Sequence, residues 1–159
     1  MAELATGNPD EALDIVQDAM LNLVEKYAHK HPNDWRFLFF KIVQNRITDW
    51  HRRHQIRSVI ARIMHPFESS GDDIAEASVF SSQTDPEPDT QLDIDLKMNE
   101  LKLALSRLPF RQRQAFLLRA VEGFSVQETA TLMTCSDGSV KTHYSRAMNT
   151  LRDQLERFA

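Results

Sequence analysis

Residues 125–148 read SVQETATLMTCSDGSVKTHYSRAM, and they decide how the chain is organised. Ser125 followed three residues later by Glu128 is a capping box, so a short helix starts there. Small Ala130 faces its partner, and Thr134-Cys135-Ser136 makes a tight turn. Ser136 or Asp137 then opens a last helix, expected to run to about Phe158. On that helix Val140, Tyr144, Ala147 and Leu151 recur at helical spacing and turn inward. Ser139, Lys141, Thr142, His143, Ser145 and Arg146 are left outward. Short polar and basic side chains on one face suit a major-groove recognition helix, with cations for phosphates and short donors near base edges. A helical hairpin with a solvated face carries the same pattern, so these residues alone leave both uses open.

Outward from this hairpin the helical period continues. Gly123 closes a helix over Arg111–Glu122, and Pro109 stops one marked by Leu92, Leu96, Leu101, Leu105 and Leu108. Near the other end, Asn8-Pro9-Asp10-Glu11 is a helix start: a capping Asn, Pro at the first helical position, then acids. The apolar positions after it include Leu13, Val16, Met20, Leu23, Val24 and Tyr27. His31-Pro32-Asn33-Asp34 breaks the chain before a long helix from about Trp35 to Arg62, with a bend near His51–Gln55 left open. The expected fold class is all-α: two small helical domains joined by a flexible acidic linker, the C-terminal one a helix-turn-helix.

Charge supports that division. The net charge of −4 argues against nucleic acid, but its distribution does not. Residues 1–64 carry 9 Lys+Arg against 8 Asp+Glu, residues 65–100 carry 1 against 10, and residues 101–159 carry 9 against 5. The acidity therefore sits in the middle, and a polyanion feels the local field of the two flanks. The expected boundaries are 1–64, a linker at 65–91, and 92–159. Within the linker, Ile74, Val79 and Phe80 are the apolar residues able to make a contact. Cys135 is the one cysteine, which excludes a disulfide framework, and no apolar run approaches the roughly 18 residues of a membrane span. No Gly-rich phosphate loop, metal-ligand set or nucleophile–base pair is present. No enzyme activity, cofactor, metal or membrane insertion is expected. His51 and His54, three apart, are expected to be phosphate-facing or solvated rather than ligands.

Stretches in both halves of the chain carry a resemblance. Leu108-Pro109-Phe110-Arg111-Gln112-Arg113-Gln114-Ala115-Phe116-Leu117-Leu118-Arg119, Glu122-Gly123-Phe124-Ser125, Glu128-Thr129-Ala130, Gly138-Ser139-Val140-Lys141-Thr142 and Ser145-Arg146-Ala147 resemble region 4 of extracytoplasmic-function (ECF) sigma factors of the sigma-70 family. Asp10-Glu11-Ala12-Leu13-Asp14-Ile15-Val16-Gln17-Asp18 resembles the polymerase-binding helix of the family's region 2. The resemblance implies that Asp14, Gln17 and Asp18 meet core RNA polymerase; on residue pattern alone they are a solvated acidic first turn. Residues 35–53 resemble the promoter-melting and −10 helix, which implies DNA contacts by Lys41, Asn45, Arg46, Arg52 and Arg53. Its Phe37, Phe40 and Trp50 are expected to pack in a core rather than stack on bases.

The resemblance implies a cytoplasmic transcription initiation factor. Its partners would be core polymerase, promoter DNA at −10 and −35, and an anti-sigma factor. The alternative is a stand-alone helix-turn-helix regulator with an N-terminal effector or dimerisation domain. One departure stands out: residues 1–7 resemble only the tail of the helix that normally opens region 2. The apolar row at Leu13, Val16, Met20 and Leu23 is then expected to need cover. A second copy is the first candidate, ahead of the linker residues and the chain's own C-terminal half.

Overall fold

The computed structural model describes residues 1–64 and 90–156, without the side chains of Arg62 and residues 90–96. The described residues are helical, with no strand among them. In chain order the elements are α1 (Ala2–Thr6), α2 (Pro9–Tyr27), α3 (Pro32–Met64), α4 (Thr90–Ser106), α5 (Phe110–Phe116), α6 (Val126–Met133) and α7 (Asp137–Leu155). The expected linker, with Ile74, Val79 and Phe80, lies mostly outside the described residues. The expected end at Phe158 lies outside them too, and α7 stops at Leu155.

Local chemistry sets the boundaries. Gly7, at φ 72, turns the chain out of α1 and donates its N–H to Glu3 O. The Asn8 side chain then accepts from the N–H groups of Asp10 and Glu11, and Pro9 occupies the first position of α2. Helix α3 runs without interruption through residues 51–55. After Pro109, α5 widens into a π-helical turn over Leu117–Val121, where the Glu122 N–H reaches back to Leu117 O. The expected helix over Arg111–Glu122 is therefore two geometries in series, closed by Gly123 at φ 74.

Helices α2 and α3 form a hairpin across a short turn. Ala12, Ile15, Ala19 and Leu23 bury against it, and fully buried Ala19 lets the backbones approach. The inward face of α2 is thus flanked by, not identical to, the expected apolar row. Leu23 is buried and Val16 half-buried, whereas Leu13, Met20, Leu21 and Val24 are more than half exposed.

The two halves share a core. Ala5, Ile15, Val43 and Ile47 of the first half pack in one cluster with Leu105, Leu108, Leu117 and Leu151 of the second. A second cluster centres on Phe124, just before α6, and Val140 of α7, and Phe37 and Phe40 of α3 pack against it. Phe40 meets Phe124 edge-on at 5.1 Å, and the Arg36 guanidinium lies 4.2 Å from the Phe124 centroid. The C-terminal half packs against α1 and α3 and leaves the row on α2 open.

The seam between the halves is polar as well as apolar. Gln114 Nε2 donates to Gln44 Oε1 at 2.9 Å and to Thr48 Oγ1 at 3.3 Å, with both glutamines 1% exposed. Arg113 donates to Ala5 O across the seam and to Ser106 O and Leu108 O on its own side. Lys102 pairs with Glu3 at 3.4 Å. His51 stacks on Phe110 with centroids 3.9 Å apart, which corrects its expected phosphate-facing or solvated position.

Candidate nucleic-acid interface

Helices α6 and α7 pack against each other across a tight turn, where the helix-turn-helix is expected. Ser125 Oγ accepts from Glu128 N, and Glu128 Oε2 accepts from Ser125 N, so the capping box is complete. These hydrogen bonds hold the Glu128 carboxyl below the usual carboxylate range. Thr134 takes the left-handed conformation at φ 54 and reverses the chain. Arg111 caps the end of α6 by donating to Met133 O. Cys135 is half-buried, and burial raises its thiol pKa, as suits a packing residue.

Helix α7 presents its faces as the spacing predicts. Val140, Ala147 and Leu151 are buried, and Tyr144 is half-buried between the Phe116 ring and the Arg119 guanidinium. Lys141, Thr142, Ser145 and Arg146 are exposed, and His143 is half-buried. Ser139 differs from these. Its N–H donates to Ser136 Oγ, its hydroxyl is bonded to the same oxygen at 2.9 Å, and the residue is half-buried. It serves the N-cap of α7 before it serves any ligand. The exposed set forms a basic and hydroxyl face with long cations beside short donors.

In the N-terminal half the structure splits the candidate residues of α3 into two rows. Lys41, Asn45 and Arg52 are spaced by four and seven and share one face. Asn45 lines a crevice with Asp49, Arg111 and Thr134, beside the α6–α7 turn. Arg52 pairs with Asp49 at 3.4 Å. Arg46 and Arg53 lie on another face with Arg57, spaced by seven and four. This second row lines a cleft against Glu11, Asp14 and Asp18 of α2, with Trp50 and His54 stacked on each other at 5.1 Å. Arg46 pairs with Asp18 at 3.6 Å. Gln17 is exposed and lies outside the cleft.

Two sets expected to serve different partners, acids for polymerase and arginines for DNA, thus share one cleft. Arg57 and Glu11 belong to it and were not singled out from sequence. Helical spacing from Arg46 and from Asp14 was the signal that could have found them. Among the described residues no group of three or more His, Cys, Asp or Glu side chains could hold a metal ion. No helix among them is long and apolar enough to cross a membrane.

Known proteins place this geometry. The family model for sigma-70, region 4 matches residues 98–151, which contain α5, α6 and most of α7. The ECF RNA polymerase sigma factor SigX of Bacillus subtilis is 24% identical over 90% of this chain and 70% of its own length. EcfG of Rhodopseudomonas palustris, also named an ECF sigma factor, is 27% identical over 92% of this chain and 72% of its own. A probable RNA polymerase sigma factor, RfaY of Xanthomonas campestris, is 32% identical over 89% of this chain, which spans 33% of that protein. Among solved structures, the sigma factor RpoE of Bartonella quintana, in complex with the anti-sigma factor NepR, matches with a TM-score of 0.63. That match has 23% identity and covers 98% of this chain and 87% of that one, a likeness of fold.

Proposed function

We propose a function from one premise: the chain belongs to the sigma-70 family, as an ECF sigma factor. It directs core RNA polymerase to specific promoters and acts with polymerase in the cytoplasm. The observation that carries this is the presence, in one chain, of both the α6–α7 helix-turn-helix and the α2–α3 hairpin with its acid and arginine rows. A stand-alone regulator needs the first and has no use for the second.

The roles follow from the chemistry. Asp14, Gln17 and Asp18 bind core polymerase from the exposed side of α2. Lys41, Asn45, Arg46, Arg52 and Arg53 take the −10 region along α3. Lys141, Thr142, His143, Ser145 and Arg146 take the −35 region, with Ser139 orienting the helix start. Most of the DNA affinity comes from phosphate neutralisation and falls with salt. An anti-sigma protein is the expected further partner; the Bartonella sigma factor is in complex with one. The chain is a binding and positioning factor, and the chemistry of transcription belongs to polymerase.

Co-purification with core polymerase tests this. Asp14→Lys with Gln17→Ala is expected to weaken core association with helical content intact. Undiminished association would remove these residues from the polymerase contact.

A further inference from the structure

Asp18 and Arg46 are assigned to different partners, yet they are bonded to each other. The pair spans 3.6 Å across the cleft between α2 and α3, with side chains 57% and 39% exposed. Asp14 and Glu11 line the same cleft from α2, and Arg53 and Arg57 line it from α3. Among the described residues, none of the C-terminal half lines it. In the free chain Arg46 is paired with Asp18, so a phosphate approaching Arg46 has to compete with that carboxylate.

We infer that Asp18 is a positioning residue that couples the two surfaces: it holds Arg46 away from DNA until core polymerase takes the aspartate. This rests on the roles given above. The physical basis is linkage. If polymerase engages the Asp18 carboxylate, Arg46 loses its partner and gains a free charge for phosphate. If phosphate engages Arg46 first, Asp18 is released for polymerase by the same factor. An exposed ion pair is weak, so the coupling is modest, about twofold to fivefold per pair. It also has the sign opposite to a purely structural role, because removing the acid strengthens DNA binding.

The test uses the full chain, with circular dichroism to confirm the fold of each variant. Binding to a short labelled duplex of arbitrary sequence is measured by anisotropy without polymerase, over a series of salt concentrations. Asp18→Asn is expected to tighten this binding about twofold to fivefold. The slope of log affinity against log salt should steepen by about one, as one more phosphate contact is neutralised. The gain should vanish when Arg46→Gln is added. With core polymerase bound, wild type and Asp18→Asn should bind DNA with the same affinity per complex formed. Unchanged affinity and slope in folded Asp18→Asn overturn the coupling. Co-elution with core separately tests the underlying reading: Asp18→Asn should weaken it, and undiminished co-elution would overturn Asp18 as a polymerase contact.

Discussion

His51 sits against Phe110 with the two rings nearly parallel, 9° apart, at the seam between the halves. Burial, then the charge of Arg113, then His54 lower its pKa from the ordinary value of 6.5. The folded chain therefore holds this ring neutral where the unfolded chain would protonate it. Stability from this residue is complete above pH 6.5 and is lost as pH falls toward the lowered value. Thermal melting on either side of pH 6.5 should show this, and His51→Phe should keep the stack while losing that part of the pH dependence. An unchanged pH dependence would mean that His51 titrates as in the unfolded chain. Gln114 is the other decisive seam residue. Gln114→Ala leaves Gln44 Oε1 buried without its donor and should cost about 1–3 kcal/mol, read from denaturant unfolding. Neither role was legible in the sequence. His51 on α3 and Gln114 on α5 each have a solvated position available in an isolated helix, and only the packing of the two halves against each other makes them seam residues.

At the scale of elements the sequence was most informative where backbone chemistry is local. The Asn8 cap, the Ser125–Glu128 box and the Ser136 cap each satisfy orphan N–H groups within three residues, so each could be read directly. Ser125→Ala should cost about 1 kcal/mol and loosen α6. The faces of α7 were equally legible, because a period of 3.6 fixes them once Val140, Ala147 and Leu151 are known to be buried. Arg146→Ala should lower transcription from −35-dependent promoters without unfolding the chain, and Lys141→Ala should reduce the salt slope by about one for all sequences. Less legible was α2, where small Ala12 and Ala19 took the buried face and left Leu13, Met20, Leu21 and Val24 open. Close helix packing favours small residues there, a preference that hydropathy alone does not register. This open row is why the chain is expected to self-associate. Sedimentation should show a concentration-dependent larger species that Met20→Glu reduces, and a monomer at every concentration would leave the row without that role.

The whole molecule adds what no segment carries, a common core for two sets of helices. The resemblance described the halves one at a time, and the contact order between them is invisible to periodicity. This packing also sets a requirement. If α3 and α7 serve two separated promoter elements at once, the seam at Gln44, Thr48 and Gln114 is expected to part, so fluorophores on α3 and α7 should move apart when polymerase and promoter bind. The central claim, that the chain gives polymerase its promoter choice, is tested most directly by transcription with purified core on a library of genomic fragments, with and without the chain. The account predicts new start sites that appear only with the chain, share upstream motifs at −35 and −10, and disappear with Asp14→Lys plus Gln17→Ala. DNA binding by the chain alone, with no association with core and no chain-dependent start sites, would contradict it and favour a stand-alone regulator.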